Sequence, residues 1–277
     1  DHRDLHLSLR RQRQMCIRDR AHPVYRITSH SSRLRHTGAI KERFSRYLGE
    51  GGMRDSIQLL VVRAIQDRFV ISVDSSGSPL HERGWRQATG RAPLRESVAA
   101  GLLMAADWNP ATPLVDPMCG SGTIVIEAAL RSIGKQPGAD RDFAFCRWPI
   151  FKPGTWASVT ADSANTSFDI PRILASDRDA GVLEAAMANA KRAGVAEIVT
   201  FRKATISELS AAVEPKGNLV TNPPWGGRLV SNRDLRNLYE TLGRVARERL
   251  PGWNLGVVTT NRRLSRHCLL YTSDAAD

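Results

Sequence analysis

Apolar residues in this chain recur at two spacings, and the changes between them mark its elements. Residues 24–28 are short and partly β-branched, a strand pattern. Ile40, Phe44 and Leu48 then recur at helical spacing over 39–48, and Gly51-Gly52 interrupts the chain. Two apolar runs, 57–65 and 69–73, flank the polar Gln66-Asp67-Arg68 and predict a β-hairpin closed by Ser75-Ser76-Gly77. A strand, a helix and a hairpin make a small α/β module.

A helix is predicted over 92–108, with Pro93 near its start, where a missing N–H costs little. Strand and helix patterns alternate beyond it. Strands are predicted at 113–116, 172–175, 198–201, 218–221 and 255–260. Helices are predicted at 123–131, at 180–192 with Gly194 as its stop, and at 234–250, where Leu235, Leu238, Leu242 and Val245 form the apolar stripe. Such alternation specifies a parallel sheet covered on both faces. Residues 134–171, rich in Pro and Ser and carrying Trp148 and Trp156, read as an irregular, ordered insertion over that sheet.

Composition narrows the partners. An apolar share of 42% over 277 residues excludes wholesale disorder, and 40 Lys+Arg against 28 Asp+Glu give +12, the balance of a polyanion binder. The longest apolar runs, such as 59–62, cannot cross a bilayer, and no secretion signal is evident, so a cytoplasmic protein is expected. Four cysteines without regular spacing, and histidines outside any ligand spacing, predict no disulfide framework and no metal. The arginine-rich residues 1–21 read as a disordered basic arm, an RNA-binding tail or a non-native leader. The last is favoured, because 15–20 and the tail 268–277 both resemble translated sequencing-adapter read-through. Without the six arginines and three aspartates of residues 1–20, and the two aspartates of the tail, the remainder still carries +11.

Two segments carry chemistry. Asp116-Pro-Met-Cys-Gly-Ser-Gly-Thr123 stands where a strand hands over to a helix, the place where open α/β sheets bind ligands. Gly120 and Gly122 permit close backbone approach, but no Lys follows, so this is not a phosphate-binding P-loop. A carboxylate there would repel a pyrophosphate yet suits a cationic amino-acid group, and S-adenosylmethionine has both an ammonium and a sulfonium. Asp177 ends the next strand, where a carboxylate can accept both ribose hydroxyls of an adenosine. It could instead cap the following helix, a role open also to Asp179.

The second segment, Thr221-Asn-Pro-Pro-Trp-Gly-Gly227, follows the fourth strand of the sheet. Its prolines make a stiff loop without N–H donors. The Asn222 side-chain oxygen and the Pro223 carbonyl can both accept hydrogens from one exocyclic NH₂ group. Pro224 stiffens the loop, and Trp225 offers a flat face for a base. Holding both hydrogens aims the nitrogen lone pair at a methyl donor, so transfer depends on positioning more than on a strong base.

Both segments resemble those of amino-group methyltransferases on the Rossmann-like fold. Residues 80–86 and 92–96 resemble the junction of THUMP-containing RNA guanine-N2 methyltransferases, which include the bacterial RlmL-type enzymes of 23S ribosomal RNA. Arg35-His-Thr-Gly-Ala-Ile40 and the hairpin ending at Gly77 are similar to the second half of a THUMP module. The resemblance covers about residues 22–267. It implies a partial THUMP RNA-binding module at 22–83 and a seven-strand-type methyltransferase domain at 84–267, with the last hairpin of the sheet and the part before THUMP missing. It also implies S-adenosylmethionine at Asp116, Cys119, Gly120, Ser121, Gly122 and Asp177, and a base received by Asn222, Pro223, Pro224 and Trp225. An acid commonly holds the adenine amine after the third strand; here Ala204 and Thr205 stand there. The family often has Tyr where Trp225 stands. The expected partner is RNA, ribosomal first and transfer RNA second. The alternatives are methylation of adenine N6 or of a protein glutamine amide, and a non-catalytic RNA-binding assembly factor.

Overall fold

The computed structural model describes residues 22–49, 57–87, 94–162, 171–209, 216–224 and 232–268. Residues 1–21 and 269–277, Pro93 and Trp225 lie outside them, so the readings of the leader, of the tail beyond Cys268 and of the stacking Trp fall on undescribed residues.

The chain divides into two units. One contains the described residues up to Leu80 together with 141–160. Its strands β1 (His22–His30), β2 (Ile57–Ile65) and β3 (Arg68–Val73) form a sheet in that order, with β1 and β2 parallel and β2 and β3 antiparallel. Helix α1 (Thr37–Leu48) connects the parallel pair. Burial on β2 alternates, with Leu60, Val62 and Ala64 turned inward, as a strand's twofold period demands. The hairpin turn has two residues where the sequence suggests three, because Arg68 pairs with Ile65. Gln66 and Asp67 both take positive φ, the backbone of a turn whose twist matches the flanking strands.

Residues 141–160 differ from expectation. They belong to this first unit rather than to the parallel-sheet unit, and they include all but the last two residues of helix α4 (Pro153–Asp162), which the irregular composition concealed. Trp148 Nε1 donates to Gln58 Oε1 on β2 at 2.7 Å, and the Phe145 N–H donates to the Ser75 carbonyl. Phe143, Phe145, Phe151 and Trp156 pack together with ring centroids 5.1–5.8 Å apart. The Arg141 guanidinium donates to the Pro79 carbonyl and lies over the Phe143 ring, so this arginine fastens the segment to the chain after β3.

The second unit carries a five-stranded, fully parallel sheet in the order β6-β5-β4-β7-β8. Its strands are β4 (Leu114–Asp116), β5 (Ile173–Asp177), β6 (Val199–Lys203), β7 (Asn218–Thr221) and β8 (Asn254–Val257). On β4, Leu114 joins one apolar cluster and Val115 the other; on β7, Val220 and Leu219 divide in the same way. Both faces are therefore covered, as the apolar strands require. Helices α2 (Glu96–Ala105), α3 (Thr123–Ser132) and α5 (Ala180–Ala193) supply the first cluster. Helices α6 (Asn232–Arg249) and α7 (Arg262–His267) supply the second. The sheet and its helices constitute an α/β Rossmann-like fold.

Three local differences have physical causes. Helix α2 is shorter than its apolar pattern and ends before Asp107, whose φ is positive. In α6 the buried row is Leu235, Tyr239, Leu242 and Val245, with Leu238 only partly covered. Helix α7, absent from the periodicity, begins at Asn261, whose side chain accepts from the N–H groups of Arg263 and Leu264. It packs closely on α6 because Gly243 has no Cβ: one built there would lie 1.9 Å from the Cys268 carbonyl oxygen.

Candidate active site

Strand order reverses between β4 and β7: the chain runs outward through β5 and β6, then returns to the other side of β4. The two motif-bearing loops leave the sheet on either side of this switch point, where parallel sheets open a crevice. One hydrogen bond spans it. Thr221 Oγ1 donates to Asp116 Oδ1 at 2.7 Å, and the Met118 N–H donates to the same oxygen at 3.1 Å. Asp116 is buried, and desolvation raises its pKa to about 7. The two hydrogen bonds pull against that rise, and the neighbouring Asp177 charge adds to it.

The turn after β4 is held from outside. Cys119 N–H donates to the Ser176 carbonyl at 2.9 Å, and Gly120 N–H to Asp177 Oδ2 at 3.1 Å. Gly120 and Gly122 both have positive φ, which explains the glycines at these two positions. They differ in surroundings. A Cβ on Gly122 would lie 3.1 Å from Ala186 Cβ, whereas one on Gly120 would meet open space. The turn therefore seats one glycine on α5 and leaves the other without a neighbour within 4 Å among the described residues. The Cys119 thiol is buried, and desolvation with the nearby Asp116 and Asp177 charges pushes its pKa far up, so it is a packing group rather than a nucleophile.

The two roles open to Asp177 are separated by geometry. Asp179 caps α5, its Oδ1 accepting from the N–H groups of Gly181 and Val182. Asp177 remains at the end of β5, one oxygen on Gly120 N–H and the other accepting from Asp179 N–H at 3.0 Å. Ala204 is brought beside it by a hydrogen bond from its N–H to the Asp177 carbonyl. Thr205 opens a short 3-10 turn, and its N–H and hydroxyl both donate to Glu208. Its hydrogen bonds from Thr205 hold the Glu208 carboxyl below the usual range. The Thr-x-x-Glu spacing was the available signal for this cap.

After β7, Pro223 is buried, Pro224 exposed and Asn222 half-buried. The Asn222 Oδ1 atom is buried and has no hydrogen-bond partner among the described residues. An orphaned buried acceptor is costly, and a donor arriving at this atom would relieve that cost. The sites predicted at 116–122, 177, 204–205 and 222–224 thus all stand at the carboxyl ends of β4, β5, β6 and β7. One contact was not foreseen: fully buried Asn189 on α5 donates its Nδ2 to the Ser121 carbonyl at 3.0 Å. Among the described residues, no cluster of three or more potential metal ligands forms, and no helix is long and apolar enough to cross a membrane.

Similar architectures occur in solved methylases. A "predicted N6-adenine-specific DNA methylase" from Listeria monocytogenes str. 4b F2365 is 31% identical, with 92% of this chain and 70% of that one covered at a TM-score of 0.77. A "possible methylase" from Clostridium difficile 630 is 30% identical, covering 93% and 71% at 0.77. SMU.472, a putative methyltransferase solved with S-adenosylhomocysteine (SAH), is 24% identical, covering 93% and 72% at 0.79, a likeness of fold. The profile of the family described as "RMKL-like, methyltransferase domain" matches residues 83–273, most of the chain, and the chain belongs to that family.

Proposed function

We propose that the protein uses S-adenosylmethionine to methylate the exocyclic amine of a nucleobase, with guanine N2 in structured RNA as the substrate. The observation that carries the reading is the orphaned Asn222 oxygen beside the cofactor turn. When bound, the cofactor supplies an electrophilic methyl on a sulfonium. The residues fit it: Gly120 opens a close approach, Asp177 presents a carboxylate to ribose hydroxyls, and buried Asp116 favours an arriving ammonium. Asn222 Oδ1 and the Pro223 carbonyl accept the two amine hydrogens, Pro224 keeps the loop stiff, and Trp225 stacks the extruded base. The net charge of +12 supports a polyanionic substrate. The THUMP-like pattern of the first unit supports RNA, ribosomal before transfer RNA.

Adenine N6 is the second reading, because the Listeria methylase at 31% identity is described as N6-adenine-specific and Asn222 serves either planar amine. The test is incubation with labelled S-adenosylmethionine and ribosomal RNA, transfer RNA or DNA, followed by nucleoside mass spectrometry. Label in N2-methylguanosine from RNA is the expected result. Label in N6-methyladenine, or only in DNA, would overturn the guanine assignment.

A further inference from the structure

The chain entering the parallel-sheet unit is tied by polar contacts that end on the turn after β4. Arg83 pairs with Glu127 on α3 at 3.3 Å, and Arg86 with Glu96 on α2 at 2.6 Å. Arg192 on α5 donates its Nε to the Trp85 carbonyl at 2.9 Å and another guanidinium N–H to Asn189 Oδ1. The Gln87 N–H reaches the same Asn189 oxygen at 3.4 Å. Asn189 Nδ2 then donates to the Ser121 carbonyl.

Asn189 is conspicuous by its surroundings. It is fully buried on a helix whose neighbouring inward positions are Ala186, Ala190 and Ala193. An amide is costly there unless each of its polar groups is paired, and a small apolar residue would satisfy the packing alone. Its pairing is specific: Ser121 stands between Gly120 and Gly122, both with positive φ. The peptide joining Ser121 to Gly122 is planar, so fixing the carbonyl also fixes the Gly122 N–H, which donates to the Cys119 carbonyl at 2.8 Å. One side-chain amide thereby locks the conformation of a turn that glycines leave free.

We propose that Asn189 is a positioning residue for S-adenosylmethionine: it joins segment 85–87 to the turn 119–122 and holds that turn in its binding shape before the cofactor arrives. The inference rests on the reading of this turn as the cofactor site. Preorganisation lowers the ordering cost on binding, so its loss is read as weaker affinity.

Asn189→Asp keeps the shape and the Oδ1 contacts to Arg192 and Gln87 but replaces the donor facing Ser121 with an acceptor. Calorimetric titration with SAH, hydrogen exchange of a peptide spanning 117–124 and thermal unfolding without ligand make up the experiment. The expected result is about tenfold weaker SAH binding, about 1.4 kcal/mol, with faster exchange confined to 119–122 and a lower unfolding midpoint, because the replaced donor is buried. Wild-type affinity in the variant overturns the proposal while the cofactor-site reading stands. Failure of the wild-type chain to bind SAH overturns that reading and the proposal with it. If Asn189→Asp does not fold, Arg192→Ala at an exposed position decides. Roughly threefold weaker SAH binding at an unchanged unfolding midpoint supports the tie, and unchanged binding overturns it.

Discussion

The loops after β4 and β7 leave the sheet side by side but are held in opposite ways. The first is braced at nearly every residue: Cys119 on β5, Gly120 on Asp177, Ser121 on Asn189, and Gly122 seated against Ala186. The second has the Thr221–Asp116 bond at its root and then Asn222, whose buried oxygen has no partner among the described residues. A braced turn suits a cofactor that binds in the same way at every turnover. An unmet acceptor suits a substrate group that supplies the missing hydrogens while it reacts, which is where binding accelerates chemistry.

That comparison breaks first at Asn222. Asn222→Ala should lower methyl transfer about 10²–10³-fold, the scale for losing a preorganised polar group at a reacting centre. SAH affinity, measured by titration, should stay within about twofold because none of the contacts that brace the proposed cofactor turn uses this side chain. A parallel collapse of affinity and rate would show that the loops are one unit.

The two glycines sharpen the braced side. Gly122→Ala meets Ala186 and Ile126 at 3.1–3.2 Å and must hold φ near +84°, so it should destabilise the fold by about 1–3 kcal/mol in a denaturant titration. Gly120→Ala meets no neighbour among the described residues, so backbone strain of about 1–2 kcal/mol opposes it. Its methyl enters the open approach, however, and SAH affinity should fall more than stability does. Equal effects of the two substitutions on both readouts would contradict the division between a packed and an open glycine.

The sequence showed the sheet more clearly than the polar ties that complete the site. Strand β7 matches its expected limits because all four of its residues are buried, with Val220 and Leu219 packed against opposite layers as in a central parallel strand. Asp177 stayed ambiguous with Asp179, since both lie within capping range of α5 and only the start of the helix decides between them. Asn189 was invisible because one polar residue in an alanine-rich helix reads as solvent-facing until its partner across the fold is known. Tyr239 was missed for the converse reason: a residue with a polar tip proved to be fully buried. Helix α4 was hidden by its Pro153-Gly154 start and its Thr, Ser and Val content, all weak helix signals.

The smallest effect is expected at the bond that joins the loops, and its sign is informative. Burial raises the Asp116 pKa from 3.8 to about 7. A raised folded-state value means that this group's stabilising contribution is full below about pH 4 and is lost as pH rises through about 7. Asn at 116 can still accept from Thr221 but does not titrate. Asp116→Asn should therefore flatten the pH dependence of unfolding across that window and melt about 2–4 °C above the wild type at pH 8 without ligand. With SAH the order should reverse, because an ammonium beside Asp116 stabilises the carboxylate that burial disfavours. Wild-type SAH affinity should then rise from pH 5 to pH 8, while that of the variant stays flat. A variant that melts below the wild type at pH 8 without ligand would make Asp116 a structural anion, and the braced loop would no longer depend on its cofactor to settle the buried charge.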